Sequence, residues 1–243
     1  MNANFSTADK ILAIDIGGSN IKTMLLDGNG NHLEERRRIP TPSPATPDSV
    51  LNVIKELAAQ TGHFDRAAAG FPGFIKNGVV KTAPNLGTEY WKDYPLQEKL
   101  SQLLNVPVIA VNDADFQGAG LVKGEGLEMV LTLGTGFGTA LTLNGTLLPH
   151  LEVSQHPITK SKNYDEYIGE AALQEIGEEK WNERMEKVLG IIKTVFNYDL
   201  LYISGGNAEL LNFKLDENVH IKTNKDGFLG AVNLWKFEAG ITR

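Results

Sequence analysis

Asp15-Ile16-Gly17-Gly18-Ser19-Asn20-Ile21-Lys22 lies between two apolar runs, Ile11–Ile14 and Met24–Leu26. This pattern predicts two strands joined by a glycine turn. Glycine has no Cβ, so backbone N–H groups at such a turn can approach a ligand closely, and successive N–H groups favour phosphate oxygens. Ser19, Asn20 and Lys22 add donors and a positive charge. An ordinary β-hairpin explains the same residues, and both interpretations stay open here.

The acidic residue Asp15 falls at the end of the first predicted strand. A carboxylate beside phosphates is useful only with a divalent metal ion or its water shell. If the turn binds phosphate, we therefore expect Mg²⁺ to reach Asp15 through water.

Two further apolar runs end in glycine turns. Leu127–Leu133 leads into Gly134-Thr135-Gly136-Phe137-Gly138, and Leu200–Ile203 leads into Ser204-Gly205-Gly206. The stretch that begins at Leu127 repeats the plan of the stretch around Asp15: strand, glycine turn, strand and Asn-Gly turn follow in the same order. This repeat suggests two related halves facing a shared cleft. A helix is predicted after Gly206, and its N-terminal N–H groups would favour an anion.

A short apolar run, Val106–Val111, stops at Asn112-Asp113. Ligands of open α/β sheets bind beyond the carboxyl ends of the strands, so these polar side chains are candidates for a site. The alternative makes Asp113 the N-cap of a helix over 114–122. Upstream, the proline-rich stretch 40–47 predicts a surface connection, with Asp48 or Ser49 capping a helix over 50–60.

Two irregular stretches mix polar and aromatic or acidic residues. Thr82–Trp91 contains Asn85 and offers amides beside flat apolar rings, which suits a sugar, although a plain surface loop fits too. His150–Pro157 holds two histidines and Glu152, but no further ligand follows at a spacing typical of a metal site.

Composition excludes several classes of function. The 243 residues carry a net charge of −7 with no basic stripe, which argues against nucleic-acid binding. There is no cysteine, hence no disulfide, thiolate catalysis or Cys-based zinc site. No apolar run approaches the ~20 residues of a membrane span. We expect a soluble cytoplasmic protein that does not bind membranes.

Three glycine turns in this order, with Asn-Asp between the first and second, resemble the ROK family of sugar kinases, in the actin-like ATPase superfamily. Within that family the chain is most similar to the polyphosphate and ATP-dependent glucokinase branch. The resemblance runs from Ile11 to about Trp235. It implies an α/β fold of two actin-like, ribonuclease H-like domains with a cleft between them. The implied domains are a small one over 1–111, completed by a C-terminal helix over 225–243, and a larger one over 112–224.

The resemblance also implies a role for each matched residue. Asp113 is the catalytic base, and Asp15 holds Mg²⁺ through water. The implied phosphate and nucleotide ligands are Asp15, Gly17, Gly18, Ser19, Asn20, Lys22, Gly134, Thr135, Gly136, Gly138, Gly205 and Gly206. The implied sugar ligands are Asn85, Asn112, Glu152 and His156.

The chain departs from the family pattern around Glu152. Most ROK kinases have Glu-x-Gly-His followed by a cysteine-rich zinc loop, whereas this chain has Glu152-Val153-Ser154-Gln155-His156 and no cysteine, so no structural zinc is expected. Gln155 stands where histidine is expected, and a one-residue shift would let His156 replace it. A further sugar-binding glutamate of the family falls on Asp165, beside Glu166.

The predicted function is transfer of a phosphoryl group from ATP or polyphosphate to a hexose, with glucose as the expected acceptor and a homodimer as the expected assembly. One rival is a non-catalytic sugar sensor of the same fold, although the ten residues before Ile11 are too few for a helix-turn-helix. Another is a kinase for a different hexose or an amino sugar.

Overall fold

The computed structural model describes residues 5–222 and 227–240, which form two compact units. The first unit contains the described residues up to Gly120 and those from Gly227 onward, and the second contains Leu121 to Lys222. The first unit holds strands β1 (Lys10–Ile16), β2 (Asn20–Asp27), β3 (Arg37–Pro40), β4 (Arg66–Phe71), β5 (Ile75–Lys76), β6 (Val79–Val80) and β7 (Val108–Asn112), and helices α1 (Pro47–Ala59), α2 (Thr88–Trp91), α3 (Leu96–Leu104) and α4 (Asp113–Ala119). The second holds β8 (Leu127–Leu133), β9 (Phe137–Leu143), β10 (Thr146–Leu147), β11 (Leu200–Ser204) and β12 (Val219–Ile221), and helices α5 (Tyr164–Ile168), α6 (Glu170–Ile176) and α7 (Glu178–Phe196). The final helix, α8 (Leu229–Glu238), belongs to the first unit.

The first sheet has the order β3-β2-β1-β4-β7, in which β1, β4 and β7 are parallel and β2 runs antiparallel to β1. Side chains of β1 are buried on both faces because helices cover both. Leu12, Ile14 and Ile16 join the core beneath α1 and α3, while α4 and α8 cover the opposite face.

The second sheet has the order β10-β9-β8-β11-β12. Strands β8, β11 and β12 are parallel, and β9 returns antiparallel to β8 across the second glycine turn. Alternate residues of β8, Met129, Leu131 and Leu133, share one core with Trp181, Met185 and Val188 of α7. The predicted α/β class, with a strand, glycine turn and strand in each unit, is confirmed.

The division between the units lies after Gly120, whereas the expected second domain begins at 112. The reason is that α4 packs on β4 and α8, so Asp113 belongs to the first unit. The expected C-terminal helix over 225–243 is α8, which is shorter. Residues 225, 226 and 241–243 of that expectation lie outside the described part of the chain.

None of the described helices is both long enough and apolar enough to cross a lipid bilayer.

Candidate active site

In the first unit, the parallel strands place their carboxyl ends along one edge of the sheet. Register pairs Asp15 with Gly70 and Phe71 with Asn112, so β1, β4 and β7 end side by side. The glycine turn at Gly17–Ser19 and the Asn112-Asp113 pair therefore follow strands that end at the same edge, which is where α/β sheets bind ligands.

The first glycine turn is tightly closed. The amide of Gly17 donates to the carbonyl of Asn20 at 3.0 Å, and a Cβ at Gly17 would lie 2.8 Å from that same oxygen. Thr41 secures the turn from outside, donating its hydroxyl to Gly17 O at 2.6 Å and its amide to Ser19 O at 3.0 Å. Within the described chain, the amides of Gly18 and Ser19 meet no internal acceptor. The turn can therefore present two N–H groups to an anion.

Asp15 and Lys22 face each other across β1 and β2. The two residues are register partners, and Lys22 Nζ lies 2.9 Å from Asp15 Oδ2. Each predicted ligand thus has the other as its partner in the protein. A single carboxylate at a phosphate turn still suits Mg²⁺, which keeps several waters and shares its coordination between one or two carboxylates and substrate phosphates. Among residues 5–222 and 227–240, no three His, Asp or Glu side chains are close enough to enclose a metal ion.

Asn112 and Asp113 have different environments. Asn112 is buried; its Oδ1 accepts from the amide of Ala114 at 2.7 Å, and its Nδ2 donates to Gly73 O at 3.1 Å. It is the N-cap of α4, so the alternative that assigned the cap to Asp113 is wrong. Asp113 is the first helical residue and is half-buried, with Oδ1 2.8 Å from the amide of Ala114. The Asp113 carboxylate thus lies in the first turn of α4, at the edge of the sheet where β1, β4 and β7 end.

Asn85 lies next to the first glycine turn. A Cβ on Gly18 would be 3.6 Å from Asn85 Cβ, and the side chain of Asn85 is exposed while Leu86 beside it is buried. The buried Trp91 anchors this segment by donating its indole N–H to Ala45 O at 2.8 Å. The structure therefore brings this candidate sugar ligand to the predicted phosphate turn.

In the second unit, the second and third glycine turns are in contact. Gly205 has a φ of +97°, and a Cβ there would overlap the carbonyl oxygen of Leu133. The amide of Asn207 donates to the same carbonyl at 3.1 Å. The expected helix after Gly206 is wrong: only a 3₁₀ turn, Ala208–Leu210, follows, so no helix N-terminus faces an anion here. The two turns, Gly134–Gly136 and Gly205–Gly206, lie side by side and together are candidates to bind phosphate.

Sequence reasoning missed two residues that support the second turn. Glu170 donates its amide to Gly134 O at 3.0 Å, and its carboxylate accepts from Asn207 Nδ2 at 2.8 Å. The hydrogen bonds of Glu170 lower the pKa of its carboxyl, that from Asn207 most. Asn207 directly follows the third glycine turn, and this position could have identified it as a candidate. Nothing in the sequence around Glu170 identifies that residue.

The polar stretch after β10 contains two pairs. His150 lies 3.5 Å from Glu152, and this contact is the largest cause that lowers the pKa of the Glu152 carboxyl, against burial. Gln155 donates to Asp165 Oδ2 at 3.1 Å. His156 is exposed, and its ring lies 6.3 Å from that of Tyr164. The structure thus places Gln155, and not His156, against Asp165.

The model of the ROK family matches residues 11–149. This chain belongs to the ROK family. The match includes the first two glycine turns and Asn112-Asp113, whereas Glu152, His156, Asp165 and the third turn follow it. The expected membership is confirmed.

Three sugar kinases are similar to this chain over 57 to 93% of its length. A polyphosphate glucokinase of Mycobacterium tuberculosis is 30% identical over 222 residues, 87% of this chain and 82% of the relative. An N-acetylmannosamine kinase of Shigella flexneri is 34% identical over 147 residues, 57% of this chain and 49% of the relative. The crystal structure of a polyphosphate/ATP-glucomannokinase from Arthrobacter sp. strain KM has a TM-score of 0.80 and 26% identity, covering 93% of this chain and 98% of that one. These similarities confirm the actin-like fold and the expected likeness to polyphosphate glucokinases.

Proposed function

We propose that this ROK protein transfers the terminal phosphoryl group of ATP or polyphosphate to a hexose, converting glucose to glucose 6-phosphate. The observation that carries the proposal is Asp113, a carboxylate at the same strand-end edge as the first glycine turn. The similarity to a polyphosphate glucokinase over 87% of the chain supports the choice of donor and acceptor.

In the proposed reaction, Asp113 accepts the proton of a sugar hydroxyl as its oxygen attacks the terminal phosphorus. The new O–P bond forms as the bond from phosphorus to the donor's bridging oxygen breaks, and ADP or a shortened polyphosphate leaves. A hydroxyl is a poor nucleophile and the transferred group carries charge on several oxygens, so positioning and electrostatic stabilisation supply most of the acceleration, and proton acceptance by Asp113 completes the set. Asn85, Asn112, Glu152 and His156 orient the sugar, and the glycine turns bind the phosphates.

Mg²⁺ suits the single carboxylate of Asp15 beside the first turn, held through water together with the donor phosphates. Bound there, it would neutralise charge that develops on the phosphate oxygens. Lys22 would then exchange its contact with Asp15 for the phosphates. Family resemblance extends the proposal to a homodimer, which light scattering on the purified protein tests.

The decisive variant is Asp113→Asn, which removes the base and keeps the size of the side chain. We expect kcat for glucose phosphorylation to fall by roughly 10²- to 10⁴-fold, because a general base contributes about that much. Glu98→Gln, an exposed carboxylate in the first turn of α3, is the matched control and should leave kcat unchanged. Full activity of Asp113→Asn would exclude Asp113 as the base.

The acceptor is tested separately with Mg²⁺, either donor, and a panel of hexoses that includes N-acetylmannosamine. The second candidate, an amino-sugar kinase, is favoured by the 34% identity to an N-acetylmannosamine kinase over 147 residues, 57% of this chain. Glucose turnover supports the main proposal, and turnover of N-acetylmannosamine alone supports the second. Sugar binding without turnover of any acceptor would indicate a sensor.

A further inference from the structure

The junction of α5 and α6 holds the second glycine turn from two sides. On one side, the amide of Phe137 donates to Asp165 Oδ1 at 2.7 Å. On the other, the amide of Glu170 donates to Gly134 O, and a Cβ on Gly169 would lie 2.8 Å from Thr135 O. A Cβ on Gly136 would come 2.7 Å from Asp165 Oδ1. Gly136 therefore makes room for the carboxylate of Asp165.

The second oxygen of Asp165 is also bound within the protein. Gln155 Nε2 donates to Oδ2 at 3.1 Å, and Gln155 Oε1 accepts from Asn163 Nδ2 at 3.4 Å. Asn163 is itself fixed as the N-cap of α5, in a capping box with Glu166. Both carboxylate oxygens of Asp165 thus have protein donors, and the chain of contacts runs back to a rigid helix end.

A carboxylate beside a phosphate turn repels phosphate unless neighbouring donors take up its charge. Here an amide N–H and a neutral side-chain amide do so. Burial is the main cause that raises the pKa of the Asp165 carboxyl, with the charge of Glu152 acting in the same direction. Burial and Glu152 thus disfavour the charged form of Asp165, and the donors of Phe137 and Gln155 act against that effect.

We propose that Asp165 is a positioning residue for the phosphoryl donor: it fixes the backbone of Gly134–Gly138 through the Phe137 amide, with Gln155 holding it in place. The consequence for the donor rests on the proposed function. The restraint that Asp165 places on the turn does not depend on the proposed function. The effect on the donor and the restraint on the turn are therefore tested by different measurements.

The kinetic test compares Asp165→Ala with Asp165→Asn. Asp165→Ala should raise the KM of ATP and of polyphosphate by about tenfold or more, the effect of losing a hydrogen bond to a charged group. The Kd of glucose, measured by calorimetry without donor, should change by less than roughly twofold. Asp165→Asn keeps an acceptor oxygen for Phe137 and should recover most of the donor affinity. Glu186→Ala, an exposed carboxylate of α7, is the control and should behave like the wild type.

The structural test measures hydrogen exchange of the Phe137 amide by NMR. Its exchange should accelerate by about tenfold or more in Asp165→Ala and stay near the wild-type rate in Asp165→Asn. If Asp165→Ala does not fold, Gln155→Leu replaces it and should shift exchange and donor KM in the same direction by less. Unchanged Phe137 exchange together with weakened glucose binding would overturn the proposal. Absence of phosphotransfer in the wild type would overturn the proposed function, and Phe137 exchange would still decide the role of Asp165.

Discussion

Glu128 is a carboxylate with no exposed surface, near the start of β8. Its oxygens accept from the amides of Lys123, Gly124 and Glu125 at 2.7, 2.6 and 3.1 Å, and from the hydroxyl of Tyr202 at 3.2 Å. Four donors converge on one side chain, so a buried charge is fully solvated by the protein. This side chain therefore fixes the segment that begins the second unit.

Replacing Glu128 with Gln tests that role. The new Nε2 group would face amide donors, and we expect the free energy of unfolding to fall by about 2–3 kcal/mol, as for lost bonds to a charged group. Urea unfolding followed by circular dichroism measures the change. Glu125→Gln makes the same substitution on an exposed side chain three residues away and should stay within ~0.5 kcal/mol of wild type. Equal stability of both variants would contradict the assignment.

At the scale of elements, the N-cap of α1 depends on the residues through which the chain enters the helix. Thr46, and not the predicted Asp48 or Ser49, is the N-cap, and its hydroxyl accepts from the amide of Ser49 at 3.3 Å. Pro47 occupies the first helical position, which its fixed φ favours. Thr46→Ala should destabilise the protein by about 1 kcal/mol in urea unfolding. The exposed Lys55→Gln, mid-helix, should leave stability unchanged, and a neutral Thr46→Ala would return the cap to Asp48 or Ser49.

The strands and their glycine turns could be predicted from the sequence because apolar runs and glycines are local signals. Helix ends could not, since distant contacts decide them. Helices α5 and α6 are separated only by Gly169, whose backbone packs against Thr135 O. After Gly206 no helix forms, and the amide of Asn207 bonds back to β8 instead. In α7 the apolar side chain of Ile192 is buried, but that of Val195 near the helix end is exposed.

Some residues of the candidate site could also be predicted from the sequence, whereas others could not. Asn112 and Asp113 could be located because they follow a recognisable strand, and Asn85 because its irregular stretch places amides beside aromatic rings. Glu170 could not, because its role is to donate a backbone N–H to Gly134 O, and a backbone contact leaves no mark on residue type. Gln155 carries a signal only as a departure from the family pattern, and its contact with Asp165 gives that departure a physical meaning.

At the scale of the whole molecule, the chain builds two separate cores and returns to the first one. One core contains Leu12, Ile14 and Phe71, and the other contains Leu131, Trp181 and Ile203. The described part of α8 returns to the first unit, where the indole N–H of Trp235 donates to Ala67 O at 3.1 Å. The guanidinium of Arg66 lies over the Trp235 ring, 4.7 Å from the ring centroid. Helix α8, from the C-terminal part of the sequence, therefore packs on β1 and β4 of the first sheet.

Trp235→Ala should therefore loosen the first unit selectively. We expect a loss of about 3–5 kcal/mol, typical of truncating a buried tryptophan, seen as faster hydrogen exchange in β1 and β4 with β8 and β11 unchanged. Trp181→Ala is the matched variant, because Trp181 is fully buried in the second core and donates to Ile168 O at 2.7 Å; it should accelerate β8 and β11 instead. Trp235→Phe keeps most of the packing and should lose less than Trp235→Ala. If either alanine variant accelerated exchange equally in all four strands, the two cores would unfold as one cooperative unit, and α8 would stabilise the whole protein and not the first sheet alone.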